Sequence, residues 1–426
     1  MKKRWATLFL LCCIYSCATA QSENSATKGV IDASHINLQE NQTIALTGEW
    51  EFYWNKLLTS KHFESRGLRP GYIKVPSVWN GQFYKGEELD GQGFATYRLT
   101  VITSNAPKLL AIEIPNVYTS YNLFVNDELI ATNGVVGDTK KSYKPEWKPT
   151  LKVFNATDTL EVIVQVANFA HNRGGIHKPF VIGNFDSVAS IRESKVIANM
   201  LLTGGLFALG CFFIAFYLFR AKQKSTIYFG LFCLLWAIRS VFSNIYLVST
   251  FFDAFNWILA LRIEYISLYL SVLFGILFLA KVFDPKESKL VKYAINIINA
   301  VFILLTLILP PVLFTMLLPA YQIFIVINLL FAVYVITKAV FDKRKDAWFS
   351  AISILLGIVV LGYEIISYVW VLKVNYLFLN FGYLTVFFLN SLVLASRFVG
   401  AYIKAERAAN DNHSKDRTIR GKRLHI

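Results

Sequence analysis

The sequence has few cysteines and few histidines, and their positions exclude several kinds of protein. Five cysteines occur in 426 residues, and none lies between Cys17 and Cys211. A region of that length can bury enough surface to hold itself together, so no disulfide framework is needed. No histidine occurs between His177 and His413, which argues against haem ligation in the apolar half of the chain.

Other catalytic and cofactor signatures are also missing. The chain has no Gly-x-Ser-x-Gly motif and no His-Glu-x-x-His motif, so intramembrane proteolysis has no support. No lysine lies in the last predicted membrane helix, which argues against a retinal Schiff base. We therefore expect no enzymatic activity and no cofactor, and we assign no catalytic or metal-binding residue.

The composition indicates two regions with different solvents. Apolar residues make up 55% of the chain, above the roughly 45–50% of an ordinary soluble domain. The excess lies in residues 196–397, whereas residues 21–190 resemble a soluble protein. The net charge is +15, but many lysines and arginines sit in short tracts between apolar runs. That arrangement is typical of cytoplasmic loops in membrane proteins, so we expect no nucleic-acid partner.

The first 20 residues have the pattern of a secretory signal peptide. A basic start, residues 2–4, precedes the short apolar stretch Trp5–Cys17, and the small residues 18–20 fit a cleavage site before Gln21. Lipidation of Cys17 is the alternative, although the bulky Tyr15 fits a lipobox poorly. In both cases the following region, residues 21–190, is exported.

The exported region shows the alternation of short β-strands. Apolar residues alternate in Leu110–Ile114 and again in Leu160–Val166, where we expect Glu161 and Gln165 to point outward. The runs on either side of the polar pair 126–127 predict a hairpin. Frequent glycine and proline between such strands favour an antiparallel sandwich.

Five motifs of this region carry a resemblance to a known family. In order they are Gly48–Trp54, Val75–Asn80, Gly93–Arg98, Tyr121–Asn126 and Val166–Asn168. The set resembles the jelly-roll, galactose-binding-like domain that precedes the catalytic barrel in β-galactosidase and β-glucuronidase relatives. The same module is the sensor in one branch of the bacterial seven-transmembrane receptors with diverse intracellular signalling modules. The resemblance implies a periplasmic β-sandwich sensor over residues 21–190.

The resemblance implies a ligand such as a sugar or another small molecule. Aromatic side chains stack on sugar rings, so Trp54, Tyr84 and Tyr118 are candidate contacts, with Trp79 beside them. For Trp50 and Trp79, burial in the sandwich core is the favoured interpretation. The donor-rich segment 171–177 is the best loop candidate, and from it we select three residues: His171, Asn172 and Arg173.

The second half of the chain contains seven apolar stretches, each about long enough to span a bilayer. They are Val196–Phe219, Thr226–Leu247, Trp257–Leu279, Tyr293–Leu309, Leu318–Ile336, Ala347–Val371 and Tyr376–Ser396. Lysine and arginine concentrate in the loops after the first, third and fifth stretches and in the tail. The positive-inside rule therefore places the N-terminus in the periplasm and the C-terminus in the cytoplasm of a bacterial inner-membrane protein.

Four charged residues lie inside these apolar stretches: Arg239, Arg262, Glu264 and Glu364. Charges in membrane helices are costly and usually functional. All four are predicted within about 14 Å of the outer surface, at 1.5 Å per residue, so opposite charges can pair. We predict an intramembrane relay, and the alternatives are a static ion-pair staple or snorkelling, above all for Arg262.

The membrane half, residues 191–397, also resembles the receptor family named above. The shared features are the segment 192–194 before the first helix, Arg239 in the second, and Arg262 with Glu264 in the third. Together the two resemblances cover almost the whole mature chain. They predict a β-sandwich followed by a seven-helix transmembrane bundle.

The tail, residues 398–426, departs from the family pattern. The last membrane helix is predicted to continue to Ala409, with residues 410–412 ending it and a disordered basic segment after them. Family members usually continue into a histidine kinase, a diguanylate cyclase or another output domain, for which no space remains. We therefore expect either a separate cytoplasmic partner or a gene truncated ahead of its effector.

These observations predict a receptor that senses a periplasmic ligand and relays it through the bundle to such a partner. Two other functions stay open from the residues alone. The bundle can simply anchor a carbohydrate- or protein-binding module, or the chain can be a transporter with a substrate-delivering domain. No pair of broken helices recurs in the two halves, which disfavours transport.

Overall fold

The computed structural model describes residues 25–423 except 65–66, 105, 222, 253–254, 284–288, 345 and 371–373. They belong to two compact units that divide between Glu193 and Ser194. The predicted signal peptide and Cys17 lie outside the described residues.

The first unit is built from short strands and one short helix, α1 (Ser60–Glu64). The strands are β1 (Val30–Asp32), β2 (Thr43–Leu46), β3 (Gly48–Trp54), β4 (Gly71–Val75), β5 (Phe83–Tyr84), β6 (Glu87–Glu88), β7 (Gly93–Ile102), β8 (Leu109–Ile114), β9 (Ser120–Val125), β10 (Glu128–Asn133), β11 (Thr150–Asn155), β12 (Thr159–Asn168) and β13 (Phe180–Gly183). The larger sheet has the order β10-β9-β12-β7-β3-β4, and the smaller has the order β11-β8-β13-β2.

The predicted antiparallel sandwich is confirmed, and β1 pairs parallel with β7. The two sheets share a core in which Trp50 of β3 packs edge-on against Tyr97 of β7 and Phe180 of β13, each at 6.4 Å between ring centres. Trp50 and Trp79 are fully buried, as expected. Large aromatic rings bury the most apolar area, which is why they occupy the centre.

The predicted hairpin at residues 121–132 is confirmed. Strands β9 and β10 pair antiparallel, and Asn126 and Asp127 form the turn with φ of 47° and 70°. Asparagine and aspartate tolerate this left-handed conformation better than most residues, and a two-residue turn of this kind matches the twist of the strands.

The expectation that Gln165 points to solvent was wrong. Gln165 is buried, and its side-chain nitrogen donates to the carbonyl oxygen of Leu58 at 3.0 Å. Its carbonyl oxygen accepts from the amide of Asn122 at 3.1 Å. The segment that follows β3 covers this face of the sheet, so a position that alternates outward along the strand is shielded by a distant part of the chain.

The described residues of the second unit are mainly helical, and its first helix begins before the division, at Phe185. Its helices are α2 (Phe185–Phe216, continued by a π-helical turn, Tyr217–Ala221), α3 (Lys224–Phe242), α4 (Val248–Phe251), α5 (Trp257–Phe283), α6 (Lys289–Ile308), α7 (Pro311–Met316), α8 (Leu318–Phe341), α9 (Ala347–Trp370) and α10 (Tyr376–Arg423).

Six helices of the described residues are long and apolar enough to cross a membrane, and they coincide with six of the seven predicted spans. The remaining predicted span, Tyr293–Leu309, lies in α6, whose apolar part, Lys292–Ile308, is shorter than the others. Large apolar side chains such as Phe207, Phe212 and Leu330 lie on the outer surface. Such an exterior is typical of helices surrounded by lipid.

The prediction that the last helix ends near residues 410–412 was wrong, because α10 continues to Arg423. The asparagine and aspartate residues there reduce helix stability by only a few tenths of a kcal/mol each relative to good helix formers. That cost does not stop a helix that the membrane span has already nucleated.

Candidate functional site

The loop between β12 and β13 is organised by Asn168, the last residue of β12, which is fully buried. Its side-chain nitrogen donates to three main-chain carbonyl oxygens, those of Gly91 (2.6 Å), His171 (2.8 Å) and Arg173 (3.0 Å). Its side-chain oxygen accepts from the N–H groups of Ala170 (3.3 Å) and His171 (3.0 Å) and from the Thr119 hydroxyl (3.2 Å). One amide therefore holds the first part of the predicted ligand loop, up to Arg173.

Two of the predicted contact residues form a closed stack. The ring of Tyr118 lies between His171 at 4.5 Å and His177 at 4.1 Å, with interplanar angles of 10° and 21°. Trp147 packs against the same group at 5.8 Å from Tyr118. Tyr118 and His171 are only 6% and 3% exposed, so these rings stack on each other in the described structure.

The histidines of this stack are held in the neutral form. Burial lowers the pKa of His171 to about 3, and its Nδ1 accepts from the N–H of Arg173 at 3.0 Å. Burial, together with the positive charge of Lys178, also lowers the pKa of His177 well below its ordinary value. A neutral ring whose Nδ1 is an acceptor carries its proton on Nε2.

The depressed pKa of His171 makes the sandwich sensitive to acid. Below pH 6.5 the unfolded histidine binds a proton that the folded one does not. Stability is therefore complete above pH 6.5 and is lost as the pH falls toward 3. Between pH 7 and pH 5 we expect a loss of about 2 kcal/mol from this residue, with a further loss from His177.

Chemical unfolding of the soluble sandwich at a series of pH values measures this effect. A His171→Gln variant has no imidazole to titrate, so its stability is expected to change less over the same interval. Equal pH slopes for the parent and this variant would show that His171 does not control the acid response.

Asn172 and Arg173 lie at the partly exposed side of the loop, next to an open cleft. The carbonyl oxygen of Asn172 accepts from the side-chain amide of Asn80 at 2.9 Å. The cleft has a volume of about 340 Å³ and is lined by Asn80, Gly81, Glu88, Leu89 and Asp90. The sequence analysis selected the loop residues Asn172 and Arg173, but it did not select the residues that line the cleft.

Trp54 and Tyr84 lie in the aromatic layer beneath. Trp54 contacts Trp79 edge-on at 4.9 Å, and Tyr84 contacts Phe52 edge-on at 5.3 Å. Both side chains are half-buried. Trp79 links this layer to the loop, since its main-chain N–H donates to the carbonyl oxygen of Gly174 at 2.9 Å.

A polar cluster in the helical unit unites three of the four charges predicted there. Arg239 of α3 lies 3.9 Å from the Glu364 carboxylate of α9, and it also contacts the main-chain oxygen of Glu264 in α5 at 3.4 Å. The Tyr383 hydroxyl of α10 donates to Glu364. The Tyr246 hydroxyl donates to the Glu264 carboxylate at 2.8 Å. We name these five residues the intramembrane polar cluster.

The cluster lies at one end of the helices. Arg239 and Glu364 are near the ends of α3 and α9, whereas Glu264 and Tyr383 are near the beginnings of α5 and α10. Successive antiparallel helices bring such positions to the same side of a bundle. The cluster therefore connects four helices at a similar depth.

Arg262 is not joined to this cluster. Its Nε is buried without a hydrogen-bond partner among the described residues. The structure thus brings together Arg239, Glu264 and Glu364, and Arg262 lies outside this group. Tyr246 and Tyr383 were missed, because nothing in the sequence distinguishes them from the other 19 of the 21 tyrosines.

The helical unit is similar to a known protein family. Residues 195–397 match the family described as 7TM diverse intracellular signalling. No curated protein matches the chain.

About a third of this chain is similar to parts of several solved structures. A GH2 beta-galacturonidase from Eisenbergiella tayi is 15% identical, with 34% of this chain and 24% of that chain covered and a TM-score of 0.23. A Faecalibacterium prausnitzii beta-glucuronidase is 16% identical, with 33% and 31% covered and a TM-score of 0.27. A Ruminococcus gnavus beta-glucuronidase is 16% identical, with 34% and 29% covered and a TM-score of 0.26. The match spans less than a third of each enzyme.

Proposed function

We propose, on the premise that residues 195–397 belong to the 7TM diverse intracellular signalling family, that this membrane receptor senses a periplasmic ligand and relays it to a cytoplasmic partner. The alternation of basic and non-basic loops supports an orientation with the sandwich outside and the tail inside a bacterial inner membrane. The family match is the observation that carries the proposal.

The ligand is proposed to be a small molecule, with saccharides as the first class to test. The cleft beside Asn172 combines amide and carboxylate groups, which suit the hydroxyl groups of a sugar. Arg173 lies at the partly exposed side of the same loop and adds a cation. Because Asn168 shapes the loop from beneath, the site has a preformed frame, as ligand sites usually do.

The relay is proposed to run through the intramembrane polar cluster. Arg239 contacts both α5 and α9, and Glu364 extends the connection to α10 through Tyr383. A rearrangement of one helix therefore changes the partners of the others. The ligand must bind one arrangement of the receptor more tightly than the other for this to occur.

The inner partner is proposed to be a separate effector, such as a histidine kinase or a diguanylate cyclase. Helix α10 continues well past the membrane span that ends at Gly400. A helix that leaves the bundle in this way can transmit a rotation or a shift along its axis to a bound protein.

A thermal-shift screen of the soluble sandwich, residues 21–190, tests the sensing step. Monosaccharides, oligosaccharides and cell-wall fragments are the panel. A ligand at 100 times its dissociation constant is expected to stabilise the domain by about 2.7 kcal/mol.

The control for this screen uses two basic residues. We expect Arg173→Ala to weaken the response and Lys152→Ala, which removes an exposed charge from β11, to leave it unchanged. Absence of any saccharide response would count against a sugar ligand and direct the search to protein partners. Equal loss in both variants would place the ligand elsewhere on the sandwich.

A further inference from the structure

Three consecutive residues of α10, Ser396, Arg397 and Phe398, contact three other segments of the helical unit through Asp346, Phe283 and Phe216. The Ser396 hydroxyl donates to one carboxylate oxygen of Asp346 at 2.8 Å, and the Arg397 Nε lies 3.3 Å from the other. The Arg397 guanidinium also lies 5.3 Å from the centre of the Phe283 ring. The Phe398 ring lies 4.4 Å from the ring of Phe216. We name these six residues the helix-end collar.

The collar surrounds much of the helix. Successive residues of an α-helix point about 100° apart, so three in a row cover roughly 200° of its circumference. Contacts with three separate partners, Asp346, Phe283 and Phe216, oppose both rotation and sideways displacement of the helix more than contact with a single partner does. The collar therefore determines the angular position of α10 at this level.

The collar is formed where the other helices end. Phe216 and Phe283 are the last residues of α2 and α5, and Asp346 immediately precedes α9. On α10 the collar lies just before Gly400, the end of the membrane span, and the helix then continues to Arg423. A displacement of α2, α5 or α9 at this level therefore alters a contact of the emerging helix.

Asp346 is the central member of the collar. Its two carboxylate oxygens contact two adjacent residues of α10, so one side chain from the loop before α9 defines the direction of both. The Asp346 and Arg397 side chains are 22% and 30% exposed. A partly buried carboxylate that accepts a hydrogen bond from Ser396 and also pairs with the Arg397 charge is more strongly oriented than a single ion pair at the surface.

We propose that Asp346 positions the output helix, and that the helix-end collar is the point at which movements of the bundle become a movement of α10. The inference rests on the proposed receptor function and adds to it a named coupling residue. Asp346 acts through Ser396 and Arg397, so it is a positioning residue and takes no part in ligand binding.

Distance measurement between two spin labels in the full-length protein tests the proposal. The labels are attached at Phe341→Cys and Tyr402→Cys, which are both exposed, after replacement of the five native cysteines. In the ligand-free protein, Asp346→Asn is expected to broaden the distance distribution at least twofold or to shift it by about 5 Å, one helical turn.

The matched control is Asp342→Asn, the same change at an exposed carboxylate four residues earlier in the same loop. It is expected to leave the distribution as in the parent. Ser396→Ala removes only one contact and is expected to give a smaller change in the same direction. Thermal unfolding of each labelled variant verifies that it is folded, and Ser396→Ala serves as the test if Asp346→Asn does not fold.

A distribution in folded Asp346→Asn that superimposes on that of the parent would overturn the proposal, as would an equal change in Asp342→Asn. The distance measurement needs no ligand, so its result does not depend on whether the ligand screen supports the receptor function. If Asp346→Asn changes the distance distribution as expected but no ligand moves the tail of the parent protein, the result counts against the proposed sensing function and not against the role of Asp346.

Discussion

Replacing Arg239 with leucine is expected to lower the free energy of unfolding of the membrane protein by about 2 kcal/mol, because it leaves Glu364 without its cation. The Arg239 and Glu364 side chains are 18% and 25% exposed, so the loss is smaller than for a fully buried pair. The Arg239→Leu/Glu364→Leu double variant is expected to recover most of this stability, since it leaves neither charge unpaired.

Thermal unfolding in detergent or nanodiscs measures all members of this double-mutant cycle. Arg262→Leu is the control, because it removes an arginine of the same bundle that is not joined to the cluster. A double variant as unstable as the sum of the single variants would show that Arg239 and Glu364 are not coupled.

The same double variant separates a relay from a static staple. If the cluster only holds the helices together, a stable double variant still moves α10 when ligand binds. If it is the relay, the double variant binds ligand normally and its tail does not respond. The labels at residues 341 and 402 report this movement, once a saccharide or other ligand emerges from the screen. Normal responses in both Arg239→Leu and Glu364→Leu would contradict the relay.

Replacing Asn168 with alanine is expected to destabilise the sandwich by about 3 kcal/mol or more. The change removes one side chain that bonds to six main-chain and side-chain groups, and it leaves buried carbonyl oxygens without donors. Each buried group left unpaired costs about 1–3 kcal/mol. Asn168→Asp is expected to be equally harmful, since a carboxylate offers no donor to the same three oxygens.

Chemical unfolding of the sandwich measures this loss, with Asn155→Ala as the control. Asn155 is also the last residue of a strand, β11, but its side chain is exposed. A change of less than about 1 kcal/mol in Asn168→Ala would show that water or neighbouring groups replace its bonds. We also expect the loop 169–179 of the variant to be more accessible to protease.

The sandwich strands and six of the seven apolar spans that local patterns predict were confirmed, because their causes are local. The hairpin at Asn126 and Asp127 depends on two adjacent residues that tolerate positive φ. The membrane helices depend on continuous apolar stretches, which have few alternatives in a bilayer. Gln165 illustrates the limit, since its burial depends on Leu58, more than a hundred residues away.

The candidate site was predictable only in part. The loop at residues 171–173 was selected from its composition. Asn168 was noted only as the end of a family motif, and the cleft residues Glu88 and Asp90 were not selected. A hydrogen-bonding hub has no sequence signature, because its partners come from separate strands and loops. For the same reason the hydrogen bond between Tyr383 and Glu364 could not be predicted from the sequence, because it depends on how α9 and α10 pack.

The sequence by itself determined the β-sandwich, the apolar spans and the presence of charges inside them, because periodicity and hydropathy act over a few neighbouring residues. Only the tertiary structure decided which charges meet, which aromatic rings close on one another, and how α10 is held by the helix-end collar. Those outcomes depend on the orientation of side chains across elements that are distant in the chain, and packing alone supplies it.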